Sequence, residues 1–437
     1  MKTTRRHLLR RTAATTALTA AVATLRGVHA WADEESRRVR LAIVGCGAMM
    51  RTHVRGLVRR RENVSIDWLC DVDPAQIDFM AKHVDASMPC KRTGKLEDVL
   101  ADDAVQACII ASPHHWHAPM ALAVMKAGKD VYVEKPMSHV YAEGPLLVAA
   151  ARKYGCVVQQ GSQMRSSPVT AQAEKLLRDG AIGEVKVARA WTAERREEMP
   201  TLPDSVPPPG VDYDRWLGPA PTHAFNRRRF HKDWRLFRDY GNGEIGDDGI
   251  HDLDMATWGL GVDTIPRQIT VRGGWMMAPN HYSEFPDNLT ATFEYPDGRL
   301  ILYENLPFTA YGMHGFDNGN VFYGTEGYMV FSRRGAFSVF LGQKGQPGPT
   351  ESKEIRGQRG YAEHMADFLD AVRNRTPTRA GPAVAHRSCA LVHLANIALV
   401  NSGRLDFDPA REQFVDNPAA DEQLTKVYRR PYTLPDV

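Results

Sequence analysis

A short apolar strand that runs directly into a glycine turn constrains this chain more than any other feature: Val39-Arg40-Leu41-Ala42-Ile43-Val44-Gly45-Cys46-Gly47. From there the pattern alternates strand and helix. Arg40–Val44 reads as a strand, Ala48–Arg59 as a helix, and Ser65–Cys70 as a second strand closing on Asp71. Ala75–His83 is helical, Ala107–Ala111 a strand, Pro119–Ala127 a helix stopped by Gly128, and Asp130–Val133 the next strand. Glu143–Lys153 and Val157–Gln160 complete the unit. Strands spaced by single helices argue a parallel, doubly wound sheet.

The glycine turn also carries chemistry. Gly45-x-Gly47 follows a strand and opens a helix, so its backbone can approach a pyrophosphate that faces the helix N-terminus. Met50 stands where the usual fingerprint has a third glycine. Asp71, at the end of the second strand, can accept both ribose hydroxyls and repels a 2′-phosphate, which favours NAD over NADP. Asp71 could instead cap the helix that follows, as could Asp73.

After Gly161 the texture changes. Val185–Thr192, Gln268–Gly273, Leu289–Tyr295, Arg299–Leu306 and Tyr328–Phe331 alternate apolar and polar residues, as strands with one solvated face do. Pro296-Asp297-Gly298 joins two of them as a hairpin. Pro200–Pro221 reads as a surface loop, too rigid and too polar for a core element. Two helices, Tyr361–Arg373 and Pro382–Ser402, close the chain. The expected class is α/β: a Rossmann dinucleotide-binding domain over residues 37–162, then an α/β domain with a large, mainly antiparallel sheet over 163–437.

Ahead of the first strand, Thr4-Arg5-Arg6-His7-Leu8-Leu9-Arg10, an apolar run from Thr12 to Leu25 and Ala30-Trp31-Ala32 have the layout of a twin-arginine export signal over residues 1–32. That route carries folded proteins, so a chain that collects its dinucleotide in the cytosol would use it; the expected location is the periplasm or another exported compartment. The formal net charge of +3 includes six basic leader residues, and the remainder is near −3. A nucleic-acid partner therefore has no electrostatic support. The six cysteines show no paired spacing, so neither a disulfide framework nor a metal site is expected.

Two segments supply candidate acid–base chemistry. The strand Asp130–Val133 runs into Glu134-Lys135-Pro136, which places Lys135 at the carboxyl end of a sheet strand, where open α/β sheets bind ligands. An exposed salt-bridging lysine is the bland alternative. In Gly246-Asp247-Asp248-Gly249-Ile250-His251 a helix would put Asp247 and His251 one turn apart on one face. A carboxylate beside an imidazole orients it and stabilises its protonated form. The same acidic run could simply cap a helix.

Further runs decide between these readings. Ala111-Ser112-Pro113-His114-His115-Trp116-His117, Ala127-Gly128-Lys129-Asp130-Val131-Tyr132-Val133-Glu134-Lys135-Pro136 and Gln159-x-Gly161-Ser162-Gln163-x-Arg165-Ser166 resemble the glucose–fructose oxidoreductase/inositol dehydrogenase (Gfo/Idh/MocA) family. So do Trp216-Leu217-Gly218-Pro219-Ala220-Pro221, Trp234 with Asp239-Tyr240-Gly241, and Glu363-His364-x-x-Asp367-Phe368-Leu369. The resemblance covers essentially the whole chain after the leader and is strongest to secreted, sugar-oriented members.

It implies a catalytic set of Lys135, Asp247 and His251. The histidine would take a hydroxyl proton, the aspartate orient it, and the lysine stabilise the alkoxide. It implies cofactor contacts at Gly45, Gly47, Ala48, Met49, Asp71, Ser112, His114, His117, Glu134 and Gln163, with His114 standing where many members have Asn. Arg165 and Trp234 are the candidate sugar contacts, since saccharides take bidentate donors and aromatic faces. A sugar, cyclitol or glycoside substrate and a homo-oligomer, dimer or tetramer, are implied likewise. The leader argues the twin-arginine machinery as export partner and a nucleotide bound tightly enough to travel with the fold, and Asp71 argues that it is NAD. Alternatives on the same fold are a redox-assisted glycosidase working by oxidation, elimination, hydration and reduction, and a non-catalytic carbohydrate-binding protein.

Overall fold

The computed structural model describes residues 38–84, 88–193, 198–307, 312–350, 359–401 and 403–437; the expected export leader lies outside them. β1 (Val39–Val44), β2 (Val64–Cys70), β3 (Lys91–Thr93), β4 (Ala107–Ile110), β5 (Asp130–Val133) and β6 (Val158–Gln160) form one parallel sheet in the order β3-β2-β1-β4-β5-β6. β4 and β5 are buried along their whole length, as strands covered on both faces must be. Chain order reverses beside β1, so a crevice opens at the carboxyl ends of β1 and β4.

The helix after β4 starts at His114, five residues earlier than its proline suggested, and runs to Lys126. Pro119 sits inside it and removes one backbone donor. At the helix start, the His115 N–H is answered from outside by the Tyr240 carbonyl, 3.2 Å away. That bond already ties the two halves of the molecule together at the crevice.

The second sheet has ten strands: β7 (Val185–Thr192), β8 (Gln268–Gly274), β9 (Asn288–Glu294), β10 (Leu300–Asn305), β11 (Asn318–Gly324), β12 (Gly327–Ser332), β13 (Ala336–Leu341), β14 (Gln346–Thr350), β15 (Arg404–Asp408) and β16 (Gln413–Phe414). Their order is β14-β13-β12-β11-β7-β10-β9-β8-β15-β16, and every neighbouring pair is antiparallel except β7 with β10. The helices Ile250–Leu260 and Pro382–Val400 lie on one face. Pro382–Val400 is long and apolar enough to cross a membrane, but most of it is buried in the protein core.

Two sequence expectations change. The proline-rich stretch is not merely a polar loop. It holds a short helix, Tyr213–Leu217, and contributes Trp216 and Leu217 to an aromatic cluster with Phe225, Phe230, Phe237 and Tyr240. Aromatic rings, not chain periodicity, build this small core, so the hydropathy pattern did not reveal it. The helix Tyr361–Asn374 also belongs with the first sheet. Met365, Phe368 and Leu369 pack into the same core as Leu41, Met50, Val54 and Ile66. The chain passes from the first sheet to the second near residue 162, but the apolar core does not divide there.

Candidate active site

β5 ends in Glu134-Lys135-Pro136 at the carboxyl edge of the first sheet. There Lys135 Nζ lies 3.0 Å from Asp247 Oδ1 and also donates to the Asp247 backbone carbonyl. The other carboxylate oxygen, Oδ2, is 2.9 Å from Arg235 Nε, a charge pair without hydrogen-bond alignment. Asp247 stands on a single π-helical turn, Ile245–Gly249, that feeds the helix Ile250–Leu260. Such turns re-aim side chains at the cost of backbone regularity and are frequent at functional sites. Close packing holds this one in place, since a Cβ on Gly249 would overlap the Tyr303 hydroxyl.

His251 follows four residues after Asp247 and is only 9% exposed. Burial, then the charges of Lys135 and Arg333, push its pKa well below the ordinary 6.5, while Asp247 pulls weakly the other way. The imidazole is therefore neutral at neutral pH and has a lone pair free to accept a proton. The sequence reading had Asp247 stabilising a protonated ring; its carboxylate instead faces Lys135 and Arg235.

A cleft of about 660 Å³ extends from the Lys135–Asp247 pair along the strand ends to Asp71. Gly45, Gly47, Ala48 and Met49 line it, as do Ser112, His114, His117 and Glu134. A Cβ on Gly47 would meet nothing within 4 Å, so the turn presents bare backbone to the cleft. Gly45 has a φ of +83°, and a Cβ there would come within 2.6 Å of the Ala111 carbonyl, so only glycine lets β1 turn so close to β4. Asp71 accepts from the Cys46 N–H at 2.6 Å and the Asp73 N–H at 2.9 Å. It is Asp73 that caps the next helix, accepting from the Ala75 N–H at 2.9 Å, while Asp71, held by its two backbone donors, faces the cleft. Backbone donors above a helix N-terminus, with a carboxylate at the far end, fit a pyrophosphate and a ribose diol.

Around the other end the side chains are locked by pairs. Glu134 Oε1 and His53 Nε2 are 2.8 Å apart, with side chains 8% and 4% exposed. Burial would raise the Glu134 carboxyl, yet the His53 hydrogen bond and the nearby Lys135 and His117 hold it below its usual value. His114 Nδ1 is 3.1 Å from Asn242 Oδ1, and burial keeps its ring neutral. His117 Nδ1 and Nε2 lie 2.7 Å from the Pro136 and Ser112 carbonyls; burial lowers its pKa, and the neutral ring donates its one N–H to one of the two. Trp234 meets His114 edge to face, with ring centroids 4.7 Å apart, and lines the cleft.

Three expected site residues do not line the cleft: His251, buried on the helix one turn past Asp247, and Arg165 and Gln163. Arg165 is clamped to buried Asp254, Nε to Oδ2 at 2.7 Å and Nη2 to Oδ1 at 2.9 Å, so the sugar contact expected of it is withdrawn. Gln163 is buried in the 3₁₀ turn Gln163–Ser166 with its carbonyl close to Gly360. Conversely, sequence reasoning missed Arg235 and Arg333, the two cations beside Asp247 and His251. It also missed His231, whose Nε2 lies 2.8 Å from Asp73 Oδ2 at the ribose end.

Residues 39–162 match the oxidoreductase family with an NAD-binding Rossmann fold, and residues 186–324 and 343–434 match its C-terminal α/β domain. The chain belongs to the Gfo/Idh/MocA oxidoreductase family. It is 24% identical over 294 residues to the uncharacterized oxidoreductase YrbE of Bacillus subtilis, covering 67% of this chain and 73% of that one. It is 25% identical over 255 residues to levoglucosan dehydrogenase of Pseudarthrobacter phenanthrenivorans, covering 55% of this chain and 58% of that enzyme. The aldose–aldose oxidoreductase of Caulobacter crescentus shares the fold at a TM-score of 0.65 and 18% identity, over 85% of this chain and 100% of that one. The matched NAD-binding half is the parallel sheet whose strand ends form the cleft.

Proposed function

We propose that this protein is an exported oxidoreductase that moves hydride between a tightly held NAD and a hydroxyl or carbonyl carbon of a sugar, cyclitol or glycoside. The observation that carries the reading is the Lys135–Asp247 pair at 3.0 Å on the strand edge, with neutral His251 one turn beyond it. The backbone of Gly45 and Gly47 would hold the pyrophosphate and Asp71 the adenosine ribose. The nicotinamide, when bound, supplies a two-electron hydride acceptor or donor. His251 takes the substrate hydroxyl proton, and the Lys135 ammonium stabilises the alkoxide left behind. Asp247, gripped by Lys135 and Arg235, keeps the ammonium in position. Trp234 offers an apolar ring face against which a sugar ring packs.

The sugar chemistry of levoglucosan dehydrogenase and of the aldose–aldose enzyme supports this substrate class. With the nucleotide retained, a hydride and proton taken from one substrate hydroxyl carbon return to the carbonyl of a second, and no soluble nicotinamide is needed. The test is to denature the purified protein, identify the released nucleotide by mass spectrometry, and assay paired sugars without added NAD. Stoichiometric NAD or NADH with sugar-dependent turnover is expected. An empty protein that stays inactive with added NAD overturns the reading, and glycoside cleavage without net redox change points to the glycosidase cycle instead.

A further inference from the structure

The last stretch of the chain, residues 425–437, has no regular secondary structure, yet it is anchored across both halves of the molecule. Glu143, fully buried on the helix Glu143–Tyr154, accepts from Tyr428 Oη at 2.8 Å and pairs with Lys426 Nζ at 3.3 Å. Further on, the tail seizes Asp214, which stands on the short helix Tyr213–Leu217. Arg429 Nη1 reaches Asp214 Oδ1 at 2.6 Å and Tyr432 Oη reaches Oδ2 at 2.8 Å, so both carboxylate oxygens are taken by the tail. Arg429 Nε also donates to the Gly218 carbonyl at 2.9 Å. The Tyr432 ring packs edge-on against Trp116 with centroids 5.6 Å apart.

The position of this tail matters more than its bonds. Pro431, Tyr432, Thr433 and Pro435 line the same cleft as Asp71, together with Leu96, Leu100 and Met120. An apolar slot beside a diol-binding carboxylate has the chemistry of a purine and its ribose. The loop that carries Asp214 is fastened over the same end. Its Asp212 N–H donates to the Val72 carbonyl at 3.0 Å, its Arg215 pairs with Glu97 at 3.1 Å, and His231 reaches Asp73.

We propose that residues 425–437 are a clasp that forms the outer wall of the adenosine pocket, latched at Asp214, and that this clasp sets how slowly the dinucleotide leaves. The proposal rests on the dinucleotide reading of the cleft. Asp214 is 63% exposed on its side chain, and exposed ion pairs are individually weak. The latch therefore opens on occasion and retards exchange rather than forbidding it. Lys426 and Tyr428, anchored on a buried carboxylate, are the fixed end about which the rest lifts.

The full-length protein is loaded with NADH, and its release is followed by fluorescence after a chase with excess NAD. Asp214→Asn and Tyr432→Ala are compared with the parent; neither residue belongs to the Lys135–Asp247–His251 set. Both are expected to raise the release rate about two- to fivefold, since an exposed latch is weak and altered affinity shows mainly in dissociation. Amide hydrogen exchange over residues 428–435 is expected to slow when the protein is saturated with NADH. Release rates matching the parent, or exchange in the tail indifferent to NADH, overturn the clasp while leaving the NAD site standing. A parent protein that takes up neither NADH nor NAD overturns both. Should Tyr432→Ala fold poorly, Asp214→Asn, which preserves shape and tail, decides the matter.

Discussion

Lys135 has one ammonium and two tasks, a structural grip on Asp247 and an electrostatic one toward a developing alkoxide. Lys135→Met removes the second while Arg235 remains to face Asp247. Turnover is expected to fall by about 10²–10⁴, the scale of a positioned acid–base or oxyanion group. Nucleotide content by mass spectrometry should stay at the parental level. His251 makes a pH prediction. Its folded pKa is depressed by burial and by Lys135 and Arg333, so the active neutral ring persists as pH falls through 6.5. The acid limb of kcat against pH should lie well below 6.5; a limb at or above it means the ring is not desolvated in the working enzyme. Position at a strand end and at a helix start made Lys135 and Asp247 candidates, but the bland readings stood beside them until the family resemblance decided. Arg165 misled because a sequence displays a donor without its partner. Asp254, the carboxylate that occupies it, lies on the helix Ile250–Leu260.

Elements are placed by contacts that the sequence shows only faintly. His53, on the helix Ala48–Val58, and Glu134, at the end of β5, join two elements through one nearly dry pair. Removing the imidazole strands a buried carboxylate, so His53→Ala should lower stability by about 3–5 kcal/mol, measured by denaturant unfolding. At Gly218 the backbone has φ +50°, and a Cβ would run into the Trp116 indole. Gly218→Ala is expected to cost about 1–3 kcal/mol, by backbone strain and overpacking, with a matching drop in Tm. Strands with clean alternation, such as β7 and β9, were legible. β11 was not: its Asn318-Gly319-Asn320 start lacks apolar alternation, and Gly319 is there because a Cβ would collide with Trp191 and the Phe331 carbonyl. β14, Gln346-Pro347-Gly348-Pro349-Thr350, tolerates its prolines because it is the edge of the sheet.

Across the whole molecule, buried neutral histidines set the response to acid. Burial pushes His115 and His393 down to about 3, and His364 and His386 down to about 4. An unfolded chain binds these protons near 6.5 and the folded one does not. The stability they confer is thus complete above pH 6.5 and is lost as pH falls toward 4 and then 3. Each contributes up to about 1.4 kcal/mol per pH unit over that interval. Tm should therefore drop steeply between pH 7 and pH 5, before most carboxylates titrate; a flat Tm over that range would mean these rings are protonated in the fold. The helix Tyr361–Asn374 has a consequence in time. It completes the core around Leu41 and Ile66, yet it is encoded about 200 residues after β6. At ribosomal speed that interval is on the order of 10–40 s, during which the parallel sheet waits with one flank bare. The half of the molecule that is made first is thus finished only by a helix made near the end of synthesis.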